Sequence, residues 1–263
     1  MYDFQYHKPQ SVADAAKAIG GAEDGKFMAG GMTLIPTLKQ RLARPSDVVD
    51  LGRIAELKGI KREGNAVVIG AMTKHADVAS SDVVKSTIPA LAHLAGLIGD
   101  PQVRNRGTLG GSIANNDPAA DYPSAVLALG ATITTNKRKI AADDFFKGMF
   151  ETALAADEII TSVSFPIPEK AGYAKFPNPA SRYAVVGVFV AKTAGGVRVA
   201  VTGAAPCVFR QKDMEAALAK NVSADAVANV KQSANGLNSD IHASAEYRAH
   251  LVGVMAKRAL AAI

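Results

Sequence analysis

The sequence predicts an α+β chain in two parts: a larger N-terminal portion ending near residue 170 and a smaller α+β domain after it. Two observations carry this. Short β-type runs and amphipathic helical segments are interleaved from the start of the chain. A crowd of breakers, Pro166, Pro168, Gly172, Pro177 and Pro179, then marks the best domain boundary. A length of 263 residues suits one large domain or a few lobes around a shared core.

The elements follow in order. Ser11 and Asp14 form a capping box for a helix over residues 11–19, stopped by Gly20-Gly21. Lys26-Phe27-Met28 reads as a strand broken by Ala29-Gly30-Gly31. A helix is expected over 34–44, with Pro36 in its first turn and Pro45 ending it. Residues 47–51 read as a strand, and 60–62 with 66–71 as a hairpin through Glu63-Gly64-Asn65. Ser86 is expected to cap a helix over 87–98, with Ile88, Leu91, Ala95 and Ile98 on one face. Residues 99–118 are the least regular stretch. A helix resumes over 119–129, with Asp117 as N-cap and Pro118 at its first position. Residues 131–135 and 158–165 read as strands. After the breakers come strands over 184–192 and 197–203, then three helices over 211–219, 224–235 and 244–262.

Composition excludes several function classes. With 48% apolar and 21% charged residues the chain reads as an ordinary globular protein. No apolar run reaches membrane-spanning length and Met1-Tyr2-Asp3-Phe4 opens no signal peptide, so a cytoplasmic location is expected. The net charge of +6 is scattered in small groups such as Lys61-Arg62 and Lys137-Arg138-Lys139, and tryptophan is absent. That favours an anionic ligand or partner over nucleic acid. Cys207 is the only cysteine, which excludes an internal disulfide, a cysteine zinc site and any iron–sulfur cluster held by this chain. It follows Pro206 in an apolar stretch and reads as an inert thiol. The five histidines show no complete metal-ligand set, so no metal site is expected.

Two glycine pairs stand out: Ala29-Gly30-Gly31-Met32-Thr33-Leu34 between a strand and a helix, and Thr108-Leu109-Gly110-Gly111-Ser112 in the irregular stretch. Glycine lets backbone amides approach an anion without a Cβ in the way. Each alone reads as a tight turn. Together, flanked by hydroxyls, two such cradles suit the diphosphate of a dinucleotide. No Gly-x-Gly fingerprint, complete P-loop, nucleophile elbow or zinc helix is present. Asp121 falls in the first turn of the following helix, where it would favour the dipole or reach a ribityl hydroxyl.

These motifs, with the run Asp117-Pro118-Ala119-Ala120-Asp121, resemble the FAD-binding subunits of molybdenum hydroxylases, the xanthine dehydrogenase and aerobic carbon monoxide dehydrogenase family. The resemblance extends to Phe4-Gln5-Tyr6-His7-Lys8-Pro9, Gln102-Val103-Arg104-Asn105, the region from Lys175 to Gly187, and Tyr247-Arg248. It implies a two-lobed FAD-binding fold of the vanillyl-alcohol-oxidase (PCMH) type over 1–170, with lobes of about 1–57 and 58–170. A C-terminal domain with a small antiparallel sheet and three helices would occupy 171–263. Ala29, Gly30, Gly31, Met32, Thr33 and Leu34 match the pyrophosphate loop; Thr108, Gly110, Gly111, Ser112 and Ala114 match the second. Asp121 matches an acid near the flavin, and Lys175 a lysine near the isoalloxazine, displaced to an unknown degree by Pro177-Asn178-Pro179. Tyr183 either covers the flavin or is a core aromatic opening a strand. Met32 departs from the polar residue of many relatives, which leaves only backbone contacts at that position.

The resemblance further implies non-covalent FAD and electron transfer without catalytic side chains. The molybdenum cofactor and the 2Fe–2S clusters would belong to a large and a small partner subunit, in a dimer of heterotrimers. Quinone, NAD or oxygen would accept the electrons. The competing readings are a self-sufficient flavin oxidase or dehydrogenase, which would need an acid–base pair the sequence does not display, and a non-enzymatic nucleotide-binding module.

Overall fold

The computed structural model describes residues 1–263. The chain opens with β1 (Gln5–His7), α1 (Val12–Gly20), β2 (Gly25–Met28), α2 (Leu34–Lys39) and β3 (Asp47–Asp50). The three strands form a parallel sheet ordered β1-β3-β2. Ser11 Oγ accepts from the Asp14 amide, so α1 starts where the capping box puts it. The helix buries Ala15 and Ile19 in a small cluster with Val49, Leu51 and Ile54. The second helix is shorter than the sequence suggested. It stops at Lys39, and Arg41 turns the chain in the left-handed region at φ +59°, well before Pro45.

A second sheet and a group of short helices follow: β4 (Ile60–Glu63), β5 (Ala66–Gly70), α3 (His75–Ser80), α4 (Asp82–Thr87), α5 (Pro89–Gly96), α6 (Pro101–Arg104), α7 (Leu109–Asn115), α8 (Tyr122–Ala128), β6 (Thr132–Thr135), β7 (Lys139–Ala141), α9 (Ala142–Phe145), β8 (Phe146–Gly148), β9 (Glu151–Thr152) and β10 (Ile160–Pro166). The antiparallel sheet runs β4-β5-β10-β6-β7, with β8 and β9 as a separate ribbon.

The helix expected over 87–98 is α5, two residues shorter at each end, and Ser86 does not cap it: Ser86 lies inside a separate preceding helix, α4, where its Oγ donates to the Asp82 carbonyl. Ser81 caps α4, and Pro89 forces Ile88 out of the helical region and begins α5. The irregular stretch contains α6 and α7. The helix expected from 119 starts instead at Tyr122. Asp117 caps no helix: its Oδ1 accepts from the Ala119 amide at 2.8 Å in a local turn.

The C-terminal part comprises β11 (Lys170–Pro177), β12 (Ala184–Thr193), β13 (Gly196–Thr202), β14 (Phe209–Arg210), α10 (Lys212–Leu218) and α11 (Ala245–Ala261). Its antiparallel sheet is ordered β11-β12-β13-β14. The breaker-rich segment is therefore partly a strand. Gly172 is required there because α11 packs so close that a Cβ would strike the Ala259 carbonyl. Residues 224–235 contain only the 3₁₀ turn Asp225–Val227, which leaves two α-helices where three were expected.

β12 reads Ala-Val-Val-Gly-Val-Phe-Val-Ala without polar alternation because both faces are covered. Val186, Val188 and Val190 enter the core under α10 and α11. Phe189 and Ala191 enter the larger core, which also holds Tyr122, Val126 and Leu91 from α8 and α5. At about 1.5–3 kcal/mol per buried valine or phenylalanine, this strand joins the two cores. No helix is long and apolar enough to cross a membrane.

Candidate functional site

A cavity of about 560 Å³ opens between the N-terminal sheets and the rim of the C-terminal domain. This lies within the range of about 300–1,000 Å³ usual for ligand clefts. Both glycine segments line it. Ala29, Gly30, Gly31, Met32, Thr33 and Leu34 come from the β2–α2 turn, and Thr108, Gly110, Gly111, Ser112 and Ala114 from the start of α7. Asp121 and Tyr183 also line it; of the residues the sequence brought forward, Lys175 does not.

The two segments are built differently. In the first, Gly31 has φ +75°, and the amides of Gly30, Gly31, Met32 and Thr33 donate to nothing within the chain. Free amides grouped at a left-handed glycine make an anion cradle. The second segment is no loop. It is the first turn of α7, and Thr108 is its N-cap, accepting from the Gly111 amide at 3.1 Å. The amides of Leu109, Gly110 and Ser112 are also taken, by Thr73, Ala71 and Thr108 carbonyls. The expectation of two equivalent amide cradles is therefore corrected: the second segment offers bare glycine surface, not donors. The segments also meet. A Cβ on Gly30 would run into the Arg106 carbonyl, and one on Gly111 would lie 3.1 Å from the Ala29 Cβ.

Asp121 is 4% exposed and borders the cavity. Lys175 Nζ donates to it at 3.0 Å and to the Leu97 carbonyl at 2.9 Å, and the Tyr173 hydroxyl donates to its other oxygen. Gly187 makes room for that hydroxyl, since a Cβ there would sit 2.6 Å from it. Burial raises the Asp121 carboxyl above its usual range, against the pull of Lys175 and Tyr173. The Lys175 side chain is 3% exposed and is not part of the cavity lining; its ammonium lies against Asp121, which is.

Tyr183 is 46% exposed on the rim, which rules out the core-aromatic reading. It follows Arg182 at φ +62° and a turn in which Asn178 Oδ1 accepts from the Ala180 and Ser181 amides.

Sequence reasoning missed His75 and Glu158, both in the cavity wall and both buried. Glu158 is held by Arg138 at 2.9 Å, which with further donors lowers its carboxyl to about 2. Arg138 stood in a basic run, the only available signal. No group of three or more His, Cys, Asp or Glu is placed to hold a metal ion. Cys207 is half-buried, its Sγ 3.7 Å from Asn116 Nδ2.

A cavity with one cradle of free amides and a bare glycine face opposite it suits a ligand that carries a diphosphate. The comparisons with known proteins agree. Residues 2–168 match the model of the FAD binding domain in molybdopterin dehydrogenase, and residues 171–263 that of the CO dehydrogenase flavoprotein C-terminal domain. The chain belongs to this family of molybdopterin dehydrogenase flavoproteins.

It is 36% identical to the carbon monoxide dehydrogenase medium chain of Hydrogenophaga pseudoflava, over 98% of this chain and 96% of that one. It is 38% identical to the nicotine 6-hydroxylase medium subunit of Paenarthrobacter nicotinovorans, over 97% and 95% of the two chains. A chain in the structure of reconstituted CO dehydrogenase from Oligotropha carboxidovorans superposes with a TM-score of 0.90 at 33% identity, covering 99% of this chain and 97% of that one.

Proposed function

We propose that this protein is the FAD-carrying electron-transfer subunit of a cytoplasmic molybdenum hydroxylase, organised as a dimer of heterotrimers with an iron–sulfur small subunit and a molybdenum-containing large subunit. The observation that carries the reading is the cavity in which the free amides of Gly30, Gly31, Met32 and Thr33 face the glycine surface of α7. Bound FAD supplies the exchange between one-electron and two-electron chemistry. The chain's own residues bind and orient it without covalent attachment. The first turn's amides hold the diphosphate, Gly110 and Gly111 allow its close approach, and Thr108, Ser112 and Ala114 line the far side. Asp121 serves the flavin end of the cavity. Lys175 and Tyr173 fix that carboxylate, so Lys175 acts through Asp121 and not by direct contact. Tyr183 covers the opening. We place the division between the FAD-binding and C-terminal domains near residue 170, with lobes of about 1–57 and 58–170.

Relatives of similar identity are named for carbon monoxide and for nicotine, so the substrate is a property of the large subunit. The terminal acceptor is a quinone, NAD or oxygen. The test is reconstitution. The chain is titrated with FAD and FMN, then mixed with iron–sulfur and molybdenum subunits encoded beside it. FAD binding with absorption at about 450 nm, weaker FMN binding, and flavin reduction by substrate only in the mixture are expected. Turnover of an organic substrate by the isolated chain would establish a self-sufficient flavoenzyme instead.

A further inference from the structure

Asp117 lines the cavity together with Asp121, and the two carboxylates stand differently in its wall. Asp121 is 4% exposed, and both its oxygens already accept, from Tyr173 and from Lys175. Asp117 is only partly buried and pairs with no cation. Its Oδ1 accepts from the Ala119 amide at 2.8 Å, whereas its Oδ2 has no partner in the chain and keeps accessible surface. The backbone around it is fixed. The Pro118 and Ala119 carbonyls accept from the Gly203 and Ala184 amides at 2.8 and 3.3 Å. On the other side the buried Asn116 turns inward to the Gly148 and Glu151 carbonyls, while Asn115 and Asp117 remain in the cavity wall. Partial burial and then the Asp117 charge raise the Tyr183 hydroxyl above its usual range, which sets this carboxylate near the tyrosine at the cavity mouth.

The turn at Asp117 needs one acceptor, and a neutral serine or asparagine would supply it as well. Desolvation raises the Asp117 carboxyl above its usual range, against the pull of the Ala119 amide, so the turn alone does not account for a charge here. A carboxylate in a ligand cavity with no cation beside it is explained when the ligand donates to it. That donor is not the diphosphate, which a carboxylate repels and which belongs at the free amides of Gly30 to Thr33. Between its diphosphate and its ring, FAD carries a chain of neutral hydroxyls.

We propose that Asp117 is a cofactor-contacting residue whose Oδ2 accepts a hydrogen bond from a hydroxyl of the ribityl chain of bound FAD. The inference rests on the FAD reading of the same cavity. Two variants separate it from a role in the turn alone. Asp117→Ser keeps an acceptor for the Ala119 amide and removes Oδ2. Asp117→Asn keeps the turn and the shape and removes the charge.

The experiment uses the full-length chain and two ligands: FAD, and an FAD analogue whose ribityl chain is replaced by a plain pentamethylene chain. Affinities are read by flavin fluorescence, and melting temperatures are taken without ligand. Asp117→Ser is expected to weaken FAD binding about tenfold, equivalent to ~1.4 kcal/mol. Its melting temperature should stay near that of the wild type, since the turn is kept. Asp117→Asn should lose less, because a neutral hydrogen bond is weaker than a charge-assisted one. Towards the analogue, which has no ribityl hydroxyl to donate, wild type and Asp117→Ser should bind equally. Unchanged FAD affinity in Asp117→Ser would overturn the proposal. So would a loss of the same size with the analogue, because the carboxylate would then serve the ring or the fold and not the hydroxyls. Failure of the wild-type chain to bind FAD would sink the cofactor reading itself, a result distinct from wild-type binding that Asp117→Ser preserves.

Discussion

Gly30 and Gly111 both lack a side chain in the cavity wall, but for different reasons. At Gly30 a Cβ would collide with the Arg106 backbone, which cannot move aside cheaply. At Gly111 the nearest atoms are the Thr108 hydroxyl and the Ala29 methyl, at 2.9 and 3.1 Å. Gly30→Ala is therefore expected to lower the melting temperature by more than about 2 °C, as a loss above about 1 kcal/mol does in a chain of this size. Gly111→Ala is expected to keep its melting temperature nearer the wild type, because alanine gains about 1 kcal/mol of helix propensity. It should lose FAD affinity instead. Calorimetry and FAD titration on both variants check this, and equal melting temperatures would contradict it.

Lys175 and Asp121 give a second contrast at the same scale. Removing one partner of a buried ion pair strands the other, at about 3–5 kcal/mol. Lys175→Met should lose that much in urea denaturation, and adding Asp121→Asn should restore part of it. A loss for Lys175→Met no larger than that of an exposed pair, about 1 kcal/mol, would mean that the pair is solvated.

Among the elements, α7 couples the cavity to a distant ribbon. Its N-terminus carries Thr108 and the glycine pair. Its C-cap, Asn116, adopts φ +44° and sends Nδ2 to the Gly148 and Glu151 carbonyls at 2.7 and 2.9 Å. The β8–β9 ribbon is held to the end of the same helix whose start faces the ligand space. Asn116→Ala loses two hydrogen bonds and must place a Cβ residue in the left-handed region, a cost of about 2–4 kcal/mol. Asn116→Gly keeps the backbone and loses only the bonds, so it should be milder by about 1 kcal/mol. Denaturant midpoints for the two variants decide this, and identical midpoints would show that the backbone conformation carries no cost.

For the whole molecule, β12 places one face in each core, and the cavity takes its walls from both ends of the chain. Melting of one core exposes the back of the strand that closes the other. We therefore expect a single cooperative unfolding transition by calorimetry. FAD at a hundredfold excess over its dissociation constant should raise stability by about 2.7 kcal/mol, shifting that one transition upward intact. Two separate transitions, of which only the earlier or the later moves with FAD, would mean that the N-terminal and C-terminal parts fold independently.

By itself the sequence determined what depends on neighbours along the chain. The Ser11 capping box, the strand before Gly30-Gly31, the turn at Glu63-Gly64-Asn65 and the long strand at 184–192 rest on local hydrogen bonding and apolar patterning. So does the glycine motif that marks the cofactor cavity. The absence of a second cysteine likewise excluded an iron–sulfur centre without reference to any fold. Contacts between distant segments decided the rest. The Thr108 glycine pair became a helix start because Thr73 and Ala71 carbonyls, more than thirty residues earlier in the chain, take its amides. Lys175 is paired with Asp121 because a carboxylate in the interior attracts a cation more strongly than solvent does. Segment 170–177 formed a strand despite its breakers because β12 supplied its hydrogen bonds and Gly172 let α11 approach. His75, with nothing beside it in sequence to mark it, joined the cavity wall only when Gly107 and Tyr122 closed around it.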